Sequence, residues 1–253
     1  MNFEKGAILA KVLNSKLKGD ILHVTDKTDD LKEHFNSYEC KDKESIQQIP
    51  DKQKERQILY ITGASGSGKS YYTYLYCEQY RKLYPKNPIY LISSINDDSS
   101  IDKIKGLKRF DLNPKFMETD FKVVDFKNSM VIFDDTDCIT NKILRNKING
   151  LLGILLETGR HQAVSVVYTS HLPSAGLDTK KILNESHSIT LFPNALGGRA
   201  LKNLLENYLG FDKEQRKKIR TIKSRWITIT KTFPMVVLYE KGAYLVNNNE
   251  EDV

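Results

Sequence analysis

The stretch that decides the fold is residues 56–74, RQILYITGASGSGKSYYTY. It opens with a short apolar run at residues 58–61, which is rich in strand-forming side chains. Residues 63–70, GASGSGKS, then match the phosphate-loop pattern G-x-x-x-x-G-K-[ST] at every fixed position. A chance glycine-rich turn is the alternative, but the match lies between a strand-like and a helix-like run, which is the context that the motif requires. The stretch therefore predicts a site for nucleotide phosphates.

The residue types of this loop suit phosphate binding. Its glycines let the backbone curl so that successive N–H groups converge on phosphate oxygens. The loop also ends at a predicted helix N-terminus, where unpaired N–H groups favour an anion. Lys69 is placed to reach the β- and γ-phosphates, and the Ser70 hydroxyl to bind Mg²⁺. The predicted nucleotide-binding residues are Gly63, Ala64, Ser65, Gly66, Ser67, Gly68, Lys69, Ser70 and Tyr71.

A second motif lies downstream, where the apolar residues 130–133, MVIF, end in Asp134 and Asp135. Two acids after a buried strand can simply cap a turn, but downstream of a phosphate loop they predict a Walker B strand. We expect Asp134 to hold Mg²⁺ through water and Asp135 to polarise the attacking water. A small-molecule kinase can use a single acid here, because its acceptor supplies the nucleophile. The second acid therefore favours an NTPase.

Further segments alternate between strand and helix patterns, which predicts a mostly parallel sheet covered on both faces. Buried strands are predicted at residues 89–92, 164–169 and 188–192, and helices at residues 70–84, 141–159, 199–208 and 213–220. Tyr72, Tyr76 and Tyr80 share one helix face, which favours packing against the sheet over base stacking. Residues 226–230, WITIT, alternate as a half-exposed strand does, and residues 235–239 and 244–246 predict a closing hairpin.

Three segments are predicted along the chain. Residues 1–50 form an N-terminal appendage and linker, with short strands at 6–13 and 20–25 and a helix at 29–38. Residues 41–56 are polar and charged and are predicted to be the linker into the core. Residues 51–246 form the P-loop domain, and residues 247–253 a disordered tail.

The composition is that of a globular protein, with 40% hydrophobic and 28% charged residues among 253. No apolar run approaches the roughly 20 residues needed to span a bilayer, and the N-terminus lacks the apolar core of a signal peptide. Cys40, Cys77 and Cys138 are odd in number and lack C-x-x-C spacing, so neither a disulfide framework nor a zinc site is indicated. We expect the protein to stay in the reducing compartment in which it is made.

The net charge of +7 is concentrated near the C-terminus. Residues 199–231 carry ten Lys or Arg and three Asp or Glu, whereas the charges of the other residues cancel. Such an excess favours a polyanionic partner, nucleic acid first, although a solvated helix face is the alternative. The candidate DNA-binding residues are Arg216, Lys217, Lys218, Arg220 and Lys223.

The segment from Gly159-Arg160-His161 through residues 164–169 to Ser170-His171 resembles the arginine, strand and polar-sensor region of the FtsK/HerA DNA-pumping ATPases. It is most similar to the poxvirus-type genome-packaging ATPases of large DNA viruses and virophages. The resemblance covers roughly residues 50–246 and includes residues 224–226, SRW, before the last strands. The phosphate loop and the acid pair occur in many NTPases, whereas the other two matches are more specific.

The resemblance implies a RecA/FtsK-like three-layer α/β sandwich, with the sensor strand between the Walker A and Walker B strands. It implies an ATP- and Mg²⁺-dependent motor that forms a homo-oligomeric ring around double-stranded DNA, with capsid vertex proteins as candidate partners. The protein would then be found in the host cytoplasm or the virion, without a membrane. His171 falls where the family's sensor glutamine usually lies, with Ser170 able to share its role. Arg199 matches the family's arginine finger, and Arg160 is the second candidate.

The expected function is ATP-driven packaging of a viral genome. Another P-loop motor, such as a helicase or a filamentous-phage assembly ATPase, is the first alternative. A nucleotide-gated DNA-binding protein with low turnover is the second, and the acid pair argues against it. A nucleotide kinase is the third, although no acceptor-site signature or arginine-rich lid is evident.

Overall fold

A ten-stranded sheet lies at the centre of the computed structural model, which describes residues 1–15, 20–173 and 176–246. The strands are β1 (Ala7–Leu13), β2 (Ile21–Val24), β3 (Ser37–Glu39), β4 (Ser45–Gln48), β5 (Ile58–Thr62), β6 (Ile89–Ser93), β7 (Leu107–Arg109), β8 (Met130–Asp134), β9 (Ser165–Ser170), β10 (Ser188–Leu191), β11 (Ile227–Thr230), β12 (Val236–Tyr239) and β13 (Gly242–Leu245). The tail predicted at residues 247–253 lies outside the described residues.

The α-helices are α1 (Lys69–Leu83), α2 (Pro114–Glu118), α3 (Lys142–Thr158), α4 (Gly176–Glu185), α5 (Gly198–Asn203) and α6 (Lys213–Thr221). A π-helical turn, Leu204–Tyr208, extends α5, so the helix predicted at residues 199–208 is present in two parts. Within the described residues, no helix combines the length and the apolar character needed to cross a membrane.

The strand order of the large sheet is β3-β13-β12-β11-β10-β5-β9-β8-β6-β7. The six strands from β10 to β7 in this order pair in parallel, and the four on the other side extend the sheet in antiparallel fashion. Strand β9 lies between β5, which leads into the phosphate loop, and β8, which ends in Asp134. The predicted position of the sensor strand and the predicted α/β class are both confirmed.

Helices cover both faces of this sheet, which gives three layers. Apolar side chains of α3, α4, α5 and α6 form one core with one face. On the other face, Tyr72, Tyr76 and Tyr80 of α1 are buried against the strands, as their spacing predicts. The tyrosine stripe therefore orients the helix that begins at the phosphate loop.

Strand β11 differs from its predicted half-exposed state, because all four of its residues are buried. Ile227 and Ile229 pack in the core that contains α6. Thr228 is buried too, and its hydroxyl lies 2.8 Å from the Tyr72 hydroxyl and 2.7 Å from that of Thr190. The polar residues of the alternating pattern therefore form hydrogen bonds inside the protein and do not face solvent.

The N-terminal residues form a separate three-stranded antiparallel sheet of order β2-β1-β4. The two predicted strands are present, but the predicted linker at residues 41–56 contains β4, which pairs with β1. Two glutamines attach β4 to α1: Gln48 Oε1 accepts a 2.8 Å hydrogen bond from the Tyr72 hydroxyl, and Gln47 Nε2 donates to the Leu75 carbonyl at 3.3 Å. The linker prediction was wrong because the pairing partners of a short polar strand are distant in sequence.

The helix predicted at residues 29–38 is also wrong. Its last part forms β3, which pairs with β13 at the edge of the large sheet. Phe35 and Tyr38 pack their rings against each other and against Phe3, with centroids 5.2–5.8 Å apart. These tertiary contacts override a weak helix propensity. The domain boundary at residue 50 remains a prediction.

Candidate active site

The phosphate loop joins β5 to α1 at the carboxyl edge of the parallel strands. Gly66 and Gly68 have φ values of 73° and 110°, which are left-handed conformations that glycine adopts without strain. The first turn of α1 then leaves N–H groups without helical partners, as an anion site requires. The Gly63 amide donates to the Ser170 carbonyl at 3.2 Å, which ties the loop to β9.

Lys69 is buried, with 5% of its surface exposed, and three acceptors surround its ammonium group. Its Nζ donates to the Gly63 carbonyl at 2.9 Å and lies 3.6 Å from Asp135 Oδ1 and 3.4 Å from His171 Nδ1. Phosphate oxygens are equivalent acceptors for this group. The predicted phosphate lysine is thus held at the loop and directed toward the Walker B acids.

Asp134 is 1% exposed and lies at the end of β8. Its carboxylate accepts hydrogen bonds from Ser93 at 3.0 Å and Thr169 at 2.9 Å. Burial raises the pKa of Asp134, and the neighbouring Asp135 raises it further. A bound cation would offset both effects, because it favours the charged carboxylate.

Asp135 has a left-handed backbone, with φ 47° and ψ 33°, which is uncommon for a residue other than glycine. Its amide donates to Thr169 Oγ1 at 2.9 Å, and its Oδ2 lies 2.9 Å from His171 Nε2. Since the Lys69 ammonium only donates, His171 Nδ1 is the acceptor and Nε2 carries the proton that binds Asp135. Lys69, Asp135 and His171 therefore form one connected group.

Ser170, the residue that we expected to share the sensor role, has other partners. Its hydroxyl lies 2.8 Å from Asp137 Oδ2 and 2.9 Å from the Leu172 carbonyl, and its side chain is buried. Of these two adjacent residues, His171 is the one whose side chain contacts Lys69 and Asp135.

Several residues of this site are not among those predicted from the sequence. Ser93 and Thr169 hold the acid pair, and Asp137 holds Ser170. Asp98 lies beside the Ser70 hydroxyl. Burial raises the pKa of Asp98, but hydrogen bonds from the Ile101 amide and the Ser70 hydroxyl lower it more, so the pKa is below its usual value. Ser93 and Thr169 are polar residues at the carboxyl ends of parallel strands, which is the signal that identifies them.

A divalent cation suits the oxygen donors around the loop. The Ser70 hydroxyl and the carboxylates of Asp134 and Asp98 are hard ligands of the kind that Mg²⁺ prefers. The side chains present therefore fit the predicted metal.

The two candidate arginine fingers lie at opposite edges of the sheet. Arg199 is exposed in the first turn of α5, close in sequence to Ala195, whose carbonyl accepts from the Ala64 amide of the phosphate loop at 3.3 Å. Arg160 precedes β9, at the amino edge, and its Nε lies 2.6 Å from Glu55 Oε2. Within the described residues, the guanidinium groups of Arg199 and Arg160 both lie away from the hydrogen-bonded group of Asp135 and Lys69.

The side chains of the basic cluster differ in their contacts and exposure. Arg216 donates to the Phe211 carbonyl at 2.6 Å and pairs with Glu206 at 3.2 Å, so its guanidinium has partners within the protein. The Lys218 ammonium lies 3.7 Å from the centre of the Tyr244 ring. Lys217, Lys218 and Arg220 are exposed on α6, whereas Lys223 follows the helix.

Comparison with known proteins identifies a similar sequence and solved structures of similar fold. The uncharacterized protein V3 of Sputnik virophage is 35% identical over 236 residues, which cover 92% of this chain and 93% of that protein. The structure is similar to B204, the DNA-packaging ATPase of Sulfolobus turreted icosahedral virus, with a TM-score of 0.50 and 15% identity over 77% of this chain and 99% of that chain. At this identity the likeness establishes a shared fold. No protein-family model matches the chain.

The sequence match to the virophage protein spans nearly the whole of both chains. On that match, the chain belongs to the same protein family as the uncharacterized protein V3 of Sputnik virophage.

Proposed function

We propose that this chain is an ATPase that moves along double-stranded DNA and packages a viral genome into its capsid. The observation that carries the hydrolytic part is the connected group of Lys69, Asp135 and His171 beside the phosphate loop. It places a carboxylate next to the phosphate lysine, where a water could be activated. A kinase has no need of such a base for water.

The residues of the site divide the chemistry among them. The loop amides and Lys69 bind the phosphates, and Asp135 accepts the proton of the attacking water. His171 fixes the orientation of Asp135 through its Nε2–H. It also contacts Lys69, so phosphate binding at Lys69 would affect the position of His171. Ser70 and Asp134 would hold Mg²⁺, which supplies charge neutralisation to the phosphates when bound.

DNA as the partner is supported by three observations. The fold is that of a viral DNA-packaging ATPase, and the sequence relative belongs to a virophage. The net charge of +7 is carried by residues 199–231, which include the exposed face of α6. A motor must grip any sequence, so we expect contacts with phosphates and not with base edges.

The assembly that we propose is a homo-oligomeric ring, in which Arg199 of one subunit completes the site of the next. Arg199 is preferred over Arg160 because it lies at the carboxyl edge, where the phosphate loop is, and has no acidic partner among the described contacts. Capsid vertex proteins are the partners that packaging would require, and the host cytoplasm or the virion is the location. A helicase is the second candidate, because it would use the same hydrolytic group.

DNA stimulation of the ATPase tests the proposal. Duplex DNA should raise the hydrolysis rate, whatever its sequence. In the variant Lys217→Glu with Lys218→Glu, stimulation should fall while the rate without DNA stays near wild type. The slope of log binding constant against log salt should decrease by about 2, since each lost phosphate contact removes about 0.9.

The matched control is Lys27→Glu with Lys32→Glu, the same charge change at exposed positions outside the basic cluster. Because Lys218 packs over Tyr244, thermal unfolding of both double variants should be compared first. Equal stimulation and equal salt slopes in the two variants would move the DNA contact away from α6, and the loop at residues 93–100 would be examined next. If duplex DNA did not change the rate of ATP hydrolysis by the wild-type protein, the proposed function would be contradicted.

A further inference from the structure

A cavity of about 560 Å³ lies between the start of α1, the N-terminal sheet and the segment that precedes β11. This volume is within the range of about 300–1,000 Å³ that is usual for small-molecule sites. Gly68 and Tyr71 of the phosphate loop and helix line one side, and Ser45 and Gln47 of β4 line another. The hydrolytic group does not account for this cavity.

The cavity adjoins the phosphate loop on the side away from the acids. Phe192, which follows β10, and Arg225, which precedes β11, both line it. A Cβ placed on Gly68 would lie 3.3 Å from the Phe192 ring and 4.0 Å from Arg225 Nη2. In the sheet, β10 and β11 are on one side of β5, and β9 and β8, which carry the hydrolytic group, are on the other.

The strand order thus sets the direction of a bound nucleotide. The terminal phosphate belongs beside Lys69 and Asp135, so the remainder of the molecule leaves the loop toward Gly68 and Tyr71. The cavity is the space at that end, and its lining includes several aromatic rings, the Arg225 guanidinium, the ammonium groups of Lys223 and Lys241, and the amide groups of two glutamines. Flat heteroaromatic rings stack on such aromatic and guanidinium planes, and their edges hydrogen-bond to amides and hydroxyls.

We propose that this cavity binds the nucleobase and ribose, and that strand β4 of the N-terminal sheet forms one wall of the nucleotide site. This inference rests on the proposed nucleotide site at the phosphate loop. Tyr71, which is 55% exposed, is available to stack on the base, and Arg225 borders the loop at Gly68. Strand β4 is held in place by the hydrogen bonds of Gln48 to Tyr72 and of Gln47 to Leu75.

This arrangement gives the N-terminal sheet a specific role. Its strand β4 contacts α1 one to two turns after the phosphate loop, so the position of the wall depends on that helix. The residues that would determine base preference then include Ser45 and Gln47, which precede the phosphate loop in sequence.

The experiment compares the binding of MgADP with that of Mg-tripolyphosphate, which lacks base and ribose, by calorimetry. Tyr71→Ala should weaken ADP binding by about 5- to 150-fold, the usual effect of losing one stacked aromatic ring. Binding of tripolyphosphate should stay unchanged. Tyr74→Ala is the matched control. The rings of Tyr71 and Tyr74 are in contact, with centroids 6.2 Å apart, so either variant removes this contact, but Tyr74 does not line the cavity.

A second variant tests the wall independently of Tyr71. Ser45→Trp adds volume from β4, and should reduce ADP binding but not tripolyphosphate binding, provided that thermal unfolding is unchanged. Equal ADP affinity in wild type, Tyr71→Ala and Ser45→Trp would overturn the inference. If ADP binds with the predicted selectivity but wild-type protein hydrolyses no ATP, the proposed function fails while the assignment of the cavity stands.

Discussion

Arg199→Ala should lose ATPase activity by about 10³- to 10⁵-fold, the effect expected when an arginine finger that acts in trans is removed. Lys69→Ala should also be inactive, because the phosphates lose their buried cation. A mixture of the two variants should regain activity, since some interfaces then combine an intact Arg199 with an intact Lys69. The measurement is steady-state hydrolysis at several mixing ratios, with a maximum between the pure variants.

Arg160→Ala provides the comparison for this experiment. Arg160 is exposed and pairs with Glu55 at the amino edge of the sheet, so its loss should have little effect on hydrolysis. Mixtures of Arg199→Ala and Lys69→Ala that are no more active than their components would show that Arg199 is structural or acts within its own subunit. If mixtures of Arg160→Ala with Lys69→Ala regained activity instead, Arg160 would be the finger.

Asp135→Asn should retain nucleotide binding and lower turnover by about 10²- to 10⁴-fold, the usual contribution of a general base. The amide keeps the size of the side chain and can still accept from His171 Nε2, but it cannot take the proton of the attacking water. Nucleotide affinity and turnover should be measured on the same preparation. Retained affinity with lost turnover distinguishes this role from that of Lys69.

Asp97→Asn is the control for Asp135→Asn. It makes the same change of charge at an exposed position on the same edge of the sheet. We expect near wild-type turnover from it. If Asp135→Asn hydrolysed ATP as fast as Asp97→Asn, Asp135 would have no part in the mechanism and His171 would have no carboxylate to orient.

The centre of the fold is predictable because its signals are local. Residues 58–70 combine a strand run with a complete phosphate loop, and the apolar run before Asp134 has the length of a buried strand. The order of the parallel strands is not predictable from local signals. The placement of β9 between β5 and β8 came from the resemblance to packaging ATPases, since neither strand run specifies its neighbour.

The N-terminal region was harder to predict because its pairing is not local. Strand β4 pairs with β1, and β3 pairs with β13, which is about 200 residues away in the chain. Both strands are short and polar or charged, so periodicity does not distinguish them from linkers. The nucleobase cavity proposed above depends on β4, and therefore no sequence motif indicates it.

The polar residues of the candidate active site are partly predictable from local sequence signals and partly dependent on non-local strand pairing. The acids and Lys69 belong to motifs, whereas Ser93 and Thr169 reach Asp134 only because adjacent parallel strands end at the same edge. Thr169 contacts both Asp134 and Asp135, and its position as the last residue but one of β9 became meaningful once the strand order was known. His171 was found through the resemblance, and its contact with Asp135 supports the choice.

The measurement that tests the central claim most directly is displacement of a third DNA strand from a triplex placed along a long duplex. A motor that moves on double-stranded DNA removes the third strand and leaves the duplex intact. We predict displacement that requires ATP and Mg²⁺, that does not depend on the sequence of the duplex, and that Asp135→Asn does not catalyse. Strand separation of the duplex would indicate a helicase, and ATP hydrolysis without displacement would contradict translocation.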